Sequence, residues 1–265
     1  MEKLFENYKL HKKLLVEALV EKDYLEIYKF PLLKNDFIIK LGEPRYELHK
    51  LELDIAKTKL KLEMMQVCIQ FQIPIDAEHI ERTLQKEFEK HFNILRMMKR
   101  EIDNVRSLGE ENESIHKNAR ELKELYLTIA SFVHPELICG DGRNIRERIW
   151  KATREAYEKR DTAKLKRLYK KTLGEFKGMC EIQGNQKELT KAVRSMKTKT
   201  RDVQTEIEKL KKQFPFNEAK LLEDDDAIEK FRKDIDLDIK IARELLDKLE
   251  KQILEKLPPP GDLLN

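Results

Sequence analysis

Apolar residues recur at three- and four-residue steps along most of the chain, the period of a helix with one buried face. Leu4 to Val20 gives a modest amphipathic helix, and Pro31 and Gly42-Glu43-Pro44 then interrupt the pattern. Between these breaks Phe37-Ile38-Ile39 is the only stretch that reads as extended. From Pro44 the pattern is regular: Leu48, Leu51, Ile55, Thr58, Leu62, Met65 and Ile69 fall on one seam of a long helix. Pro74 ends it, because proline cannot donate to the helical ladder and restricts the residue before it. Asp76 reads as the N-cap of a return helix whose seam is Leu84, Phe88, His91, Leu95, Met98, Ile102 and Val105. Two long helices joined by a few residues predict an antiparallel coiled-coil hairpin over Pro44–Val105.

After a polar break at Gly109–Asn112, Leu122, Leu125, Tyr126, Ile129 and Val133 mark a helix that runs into His134-Pro135-Glu136. A loop with Gly140-Asp141-Gly142 follows. A second amphipathic helix opens near Asn144 and carries Ile145, Ile149, Trp150, Thr153, Ala156 and Tyr157 inward. Asp161-Thr162 caps a short helix holding Leu165 and Leu168. Gly174 and Gly178 loosen the chain, and Gly184-Asn185 marks a boundary. Two more seams come next. Leu189, Val193, Met196, Thr200, Val203, Ile207, Leu210 and Phe214 form one; Ile228, Phe231, Ile235, Ile239, Ala242, Leu246, Leu249 and Ile253 form the other. With Pro215 and Asp224-Asp225-Asp226 between them, they predict a second antiparallel hairpin over Lys187–Leu257.

The expected plan is therefore all-α. It has an N-terminal helical segment (1–42), a coiled-coil hairpin (43–108), a helical core (113–173), a second coiled-coil hairpin (185–257) and a tail (258–265) that opens on three prolines. Composition supports the fold class, since 39% charged residues with only 8 Gly among 265 suit long helices and leave few tight turns for a sheet. Apolar residues at helical spacing are usually internal core, and His91 reads as a packed or edge histidine.

Charge adds unevenness. The net of +4 hides a basic stretch, Arg143–Lys212, with 22 Lys+Arg against 10 Asp+Glu, and an acidic end, Gln213–Asn265, with 9 against 14. The two can neutralise each other, or the basic stretch can serve an anionic partner. Cys68, Cys139 and Cys180 are odd in number and far apart, which signals neither a disulfide framework nor a zinc site. No apolar run approaches the ~20 residues of a membrane span, and no secretory signal is visible. The expectation is a cytoplasmic protein with no cofactor and no metal.

Helix, His134-Pro135-Glu136, loop and antiparallel helix ending in Glu155-Ala156-Tyr157-Glu158 resemble the core of a J-domain, the module with which DnaJ-type co-chaperones engage DnaK-type chaperones. Tyr126, Ile129 and Val133 match the apolar positions of that family's second helix, and Trp150, Ala156 and Tyr157 those of its third. The hairpin–core–hairpin layout is also similar to that of J-domain-containing coiled-coil proteins of Gram-positive bacteria. The resemblance implies antiparallel helices presenting the tripeptide at an exposed joint, where it would contact the chaperone. There are departures. Glu136 replaces the family's aspartate, the basic face of the second helix is reduced to Lys123 beside Leu127, Thr128, Ser131 and Phe132, and the first helix's tyrosine-leucine motif is absent. The module is degenerate. The plain alternative for the tripeptide is a helix stop.

Two other function classes come from the residues. Arg143, Arg146, Lys151 and Arg154, with neighbours from Arg148 to Arg167, could form a phosphate-binding face, whose plain alternative is a solvated helix face with pairs such as Arg154–Glu158. Cys139 with His134 and Asp141 superficially suggests a thiol nucleophile and its base, but so short a loop cannot easily aim all three at one atom. The sequence thus predicts a non-enzymatic, co-chaperone-like adaptor that binds a protein partner, either a DnaK-type chaperone or a client. A nucleic-acid-binding coiled-coil protein is the alternative.

Overall fold

A computed structural model describes residues 2–107, 119–137, 143–176 and 185–256. The described residues are almost entirely helical and contain no strand. The helices are α1 Glu2–Asp23, α2 Phe30–Gln70, α3 Ala77–Glu87, α4 Glu89–Ser107, α5 Ala119–Val133, α6 Arg143–Glu158, α7 Thr162–Phe176, α8 Gln186–Lys211, the single turn α9 Ala219–Leu222, and α10 Asp225–Lys256. They fall into two units. Unit 1 is Met1–Lys34 with Glu110–Ala219, and unit 2 is Asn35–Gly109 with Lys220–Asn265.

The predicted breaks at Pro31 and Gly42-Glu43-Pro44 do not occur, and Phe37-Ile38-Ile39 is helical. A π-helical turn, Tyr24–Lys29, ends two residues before Pro31. The Phe30 N–H bonds Leu25 O there, and the wider turn meets the gap that a proline leaves in the ladder. Pro44 lies inside α2. Gly42 is beside it because α4 comes close: a Cβ at this position would lie 3.3 Å from Ile102 Cγ1 and 3.2 Å from Ile38 Cγ2. Tertiary packing has overridden the local stop signals. The N-terminal segment 1–42 is therefore not a separate element, since residues 1–34 belong to unit 1 and Asn35 onward to unit 2.

In unit 2, α2 runs antiparallel to α3–α4, as the ion pairs between them show. Lys57 and Lys61 reach Glu81 at 3.4 and 2.9 Å, while Lys99 and Arg106 reach Glu43 at 3.2 and 2.7 Å. Asp76 caps α3 by accepting from His79 N at 2.9 Å. The seam is closed by a third helix: Leu51, Ile55, Leu62 and Met65 share a buried cluster with Ile80 and Leu84 and with Ile235, Ile239, Ala242, Leu249 and Ile253 of α10. Ile69, expected in this seam, is exposed near the end of α2, and His91 is exposed on α4.

That cluster corrects the second hairpin. The seam of α10 is spent on α2 and α3, and the seam of α8 is spent elsewhere. Leu189, Val193 and Met196 of α8 pack with Tyr8 and Leu15 of α1, and further along Lys22 pairs with Glu206 at 2.5 Å, so α1 and α8 run in the same direction. The two long helices of this segment, α8 and α10, therefore belong to different units, each partnered by an N-terminal helix far away in sequence. Asn185 and Glu188 close a capping box at the start of α8. Phe214, placed in this seam by its spacing, is 43% exposed.

Candidate functional site

Helices α5, α6 and α7 build the core around the tripeptide. Leu122, Tyr126, Ile129 and Val133 of α5 are buried against Ile149, Trp150, Ala156 and Tyr157 of α6, together with Leu165 and Phe176 of α7 and Val16 and Val20 of α1. The aromatic seam closes in the register read from sequence. The Tyr126 ring stacks on Tyr157 with centroids 4.1 Å apart and lies 5.3 Å from Trp150. Thr153 is fully buried, its hydroxyl donating to Ile149 O at 2.7 Å. Asp161 caps α7 by accepting from Lys164 N at 2.8 Å. Ile145, expected to point inward, is 44% exposed one turn from the start of α6.

At the end of α5 the chain turns on the tripeptide. His134 N still donates to Ala130 O at 3.0 Å, and a 3-10 turn, Pro135–Leu137, follows. The expectation of an exposed histidine is wrong: His134 is 8% exposed, with its ring edge-on to Trp150 at 4.5 Å. Its Nδ1 accepts the Glu136 N–H at 3.2 Å, which requires a neutral ring with the proton on Nε2. Burial pushes the imidazole down to about 4, with Arg154 and Lys199 adding to the effect and Glu136 opposing it. The physical reason for burial is the ring's place at the end of the aromatic seam, where it covers the Trp150 edge. Pro135 and Glu136 are exposed, but Glu136 is ion-paired with Lys199 of α8. The Lys199 hydrogen bond holds the Glu136 carboxyl below its usual range. Leu137 packs against both the three-helix core and the α1–α8 cluster.

Two participants were missed by sequence reading. Asp23, at the end of α1, is buried and accepts a 2.8 Å hydrogen bond from Tyr126 Oη. Burial raises its pKa, while the Tyr126 bond and the Arg154 charge pull the other way. The partners are 103 positions apart, and no local pattern announces them. Lys199, 63 positions from Glu136, is the other. The surface of α5 that carries Leu127, Thr128 and Ser131 also faces α1: with Lys9, Lys12, Lys13 and Val16 these residues line a cleft of about 310 Å³.

Of the four cations singled out for phosphate binding, Arg146 and Arg154 are engaged within the protein. Arg146 lies with its guanidinium 5.0 Å from the Phe176 ring and its Nε buried without a partner. Arg154 pairs with Glu158 at 3.3 Å and faces buried Asp23. Lys151 is exposed, and Arg143 opens α6. Cys139, Asp141 and the Gly140-Asp141-Gly142 loop lie outside the described residues, as do Cys180, Gly178 and the tail 258–265. Among the described residues no group of three or more His, Cys, Asp or Glu is placed to hold a metal ion, and no helix is long and apolar enough to cross a membrane. Comparison with protein-family models, with curated proteins and with solved structures finds no match to this chain.

Proposed function

We propose that the chain is a non-enzymatic, co-chaperone-like protein-interaction adaptor of the cytoplasm, whose degenerate J-like core works as a closed joint of unit 1. The observation that carries this reading is the closed aromatic seam of Tyr126, Trp150 and Tyr157 ending on His134. It supports a J-like build. It also argues against an open chaperone contact through the histidine, because a docking group must be reachable and this ring is committed to packing. Pro135 and Glu136 are left as the exposed part of the tripeptide, and Lys199 holds the carboxylate.

Two assays on the full chain test this reading together. The native protein is expected to leave the ATPase rate of a DnaK-type chaperone unchanged, with no difference for His134→Gln. The immobilised chain is expected to retain discrete proteins from a cytosolic extract after nuclease treatment. Clear ATPase stimulation that His134→Gln abolishes would restore the histidine as a docking group. Retention of nucleic acid alone would replace the adaptor reading.

One observation favours nucleic-acid binding as the second reading. The acidic segment expected to offset the basic stretch belongs mainly to α10, which packs in the other unit. By residue count unit 1 carries a net +8 and unit 2 a net −4, which together make the chain's +4. Lys151, Lys159, Arg167 and Lys170 are exposed on α6, α7 and the turn between them. This basic surface would bind phosphate backbones through charge, so its affinity would fall steeply with salt.

A further inference from the structure

Unit 2 holds an unfilled cleft between α2 and α3–α4, with a volume of about 710 Å³. Its apolar lining comes from Tyr46 and Leu53 of α2 and from Phe92 and Leu95 of α4. Of the α4 residues that line it, Phe92 and Leu95 are only half-buried, so apolar surface is left open to the cleft. Apolar surface gathered in a groove and left open usually marks a site for a partner. Yet α10, the third helix of this unit, packs on another stripe of α2, through Leu51, Ile55, Leu62 and Met65.

The rim of the cleft is cationic. Lys57 is used by Glu81 at 3.4 Å, and Lys99 by Glu43 and Asp103 at 3.2 and 3.4 Å. Exposed Lys50, Arg96 and Arg100 then stand against the single half-buried Asp54. Among the described residues Arg96 donates only to the neutral side chain of Asn93, at 2.6 Å, a contact that does not neutralise its charge. From Tyr46 to Lys57 the cleft follows α2 for ~16 Å, or about three helical turns. Its walls are two antiparallel helices, whose groove suits another helix laid along it.

We propose that this cleft is the docking site for an amphipathic helix of a partner protein. That helix would place three or four aliphatic residues at i, i+3, i+4 and i+7 on Leu53, Phe92 and Leu95, and carboxylates along its edges facing Lys50, Arg96 and Arg100. The site lies in unit 2 and does not depend on the J-like core of unit 1, so either reading can fail without the other. It gives the adaptor a partner chemistry, a helix with a leucine-rich face and acidic flanks.

Fluorescence anisotropy with the full chain tests this. Two labelled model helices of equal length share the same leucine pattern; one carries glutamates at its other positions and the other carries lysines. The glutamate helix is expected to bind at least tenfold more tightly than the lysine helix and to weaken as salt rises. Leu95→Asp should abolish binding with helicity by circular dichroism unchanged, and Arg96→Glu with Arg100→Glu should reverse the preference. Absence of binding by the glutamate helix, or equal binding of both helices, overturns the proposal. A preference unaffected by the Arg96 and Arg100 reversals overturns it too, since the basic surface of unit 1 would then be the binder. If Leu95→Asp lowers helicity, Lys50→Glu, an exposed change, must still weaken the glutamate helix several-fold for the proposal to stand.

Discussion

His134 decides what the tripeptide is. A neutral imidazole held by burial contributes stability at pH values above the ordinary histidine value of 6.5, and that contribution is lost as pH falls toward the folded value of about 4. Across this window the unfolded chain binds the extra proton, so stability falls with pH, by up to ~3 kcal/mol if the whole shift is expressed. Chemical denaturation of the native chain and His134→Gln between pH 7 and 4.5 should show a slope that the variant lacks. Equal slopes would place the ring in solvent. Asp23 acts in the opposite sense, because its raised pKa makes its burial less costly as pH falls, which blunts the loss at the acid end. Its partner gives a second prediction. Tyr126→Phe removes the hydroxyl that donates to Asp23 and should cost about 1–3 kcal/mol at neutral pH. Less should be lost in acid, where a protonated Asp23 no longer needs the donor. A pH-independent loss would mean that the hydroxyl matters only for packing. The structure also decides what adding a basic face to α5 would do. Phe132 packs against the core, so Phe132→Lys would damage the joint before it recruited anything.

At the scale of elements, the faces were legible and their partners were not. Leu189, Val193 and Met196 announce a buried stripe because their spacing follows the helical period, and they are buried. The same spacing says nothing about what lies opposite, and a short polar connection made α10 the natural partner. The seam found α1 instead, because Tyr8 and Leu15 offer a matching stripe that was too modest in the sequence to claim a long helix. Pro31 and Pro44 misled for a related reason, since proline's cost is local while a π-helical turn and the close approach of Ile102 to Gly42 are tertiary facts. Within the candidate site the seam of α5 and α6 was readable, because both helices carry it locally. Asp23 and Lys199 were not, because each arrives from a distant helix. The corrected pairing is testable. An isolated segment spanning residues 185–257 should not fold into a stable hairpin, and its helicity by circular dichroism should lie well below that of the same residues in the full chain. Cooperative unfolding of that segment alone would revive the hairpin. Val193→Asp should destabilise unit 1 and Leu51→Asp unit 2, each by several kcal/mol, because each puts an unpaired charge in a buried cluster. Hydrogen exchange should find lost protection in α1 and α8 for the first and in α2, α3 and α10 for the second. Loss of protection in α10 caused by Val193→Asp would contradict the assignment.

At the scale of the whole molecule, the sequence's single net charge conceals a basic unit 1 and an acidic unit 2 whose cleft nevertheless has a cationic rim, so local charge and not the unit's net sets each partner. Binding of the full chain to a labelled duplex should fall by orders of magnitude between low and physiological salt if unit 1 alone provides the contacts. Arg167→Glu with Lys170→Glu should weaken it further, because these cations are exposed, whereas Arg146 is engaged with Phe176. Tight binding that persists at physiological salt would promote nucleic acid over a protein partner. The adaptor reading itself rests on a J-like core that is closed, with its histidine locked against Trp150. An NMR titration of the His134 ring in the full chain measures that directly. The account predicts an imidazole that stays neutral, with the proton on Nε2, until the pH approaches about 4. Titration near the ordinary value of 6.5 would contradict it, because it would show a solvated histidine free to meet a partner.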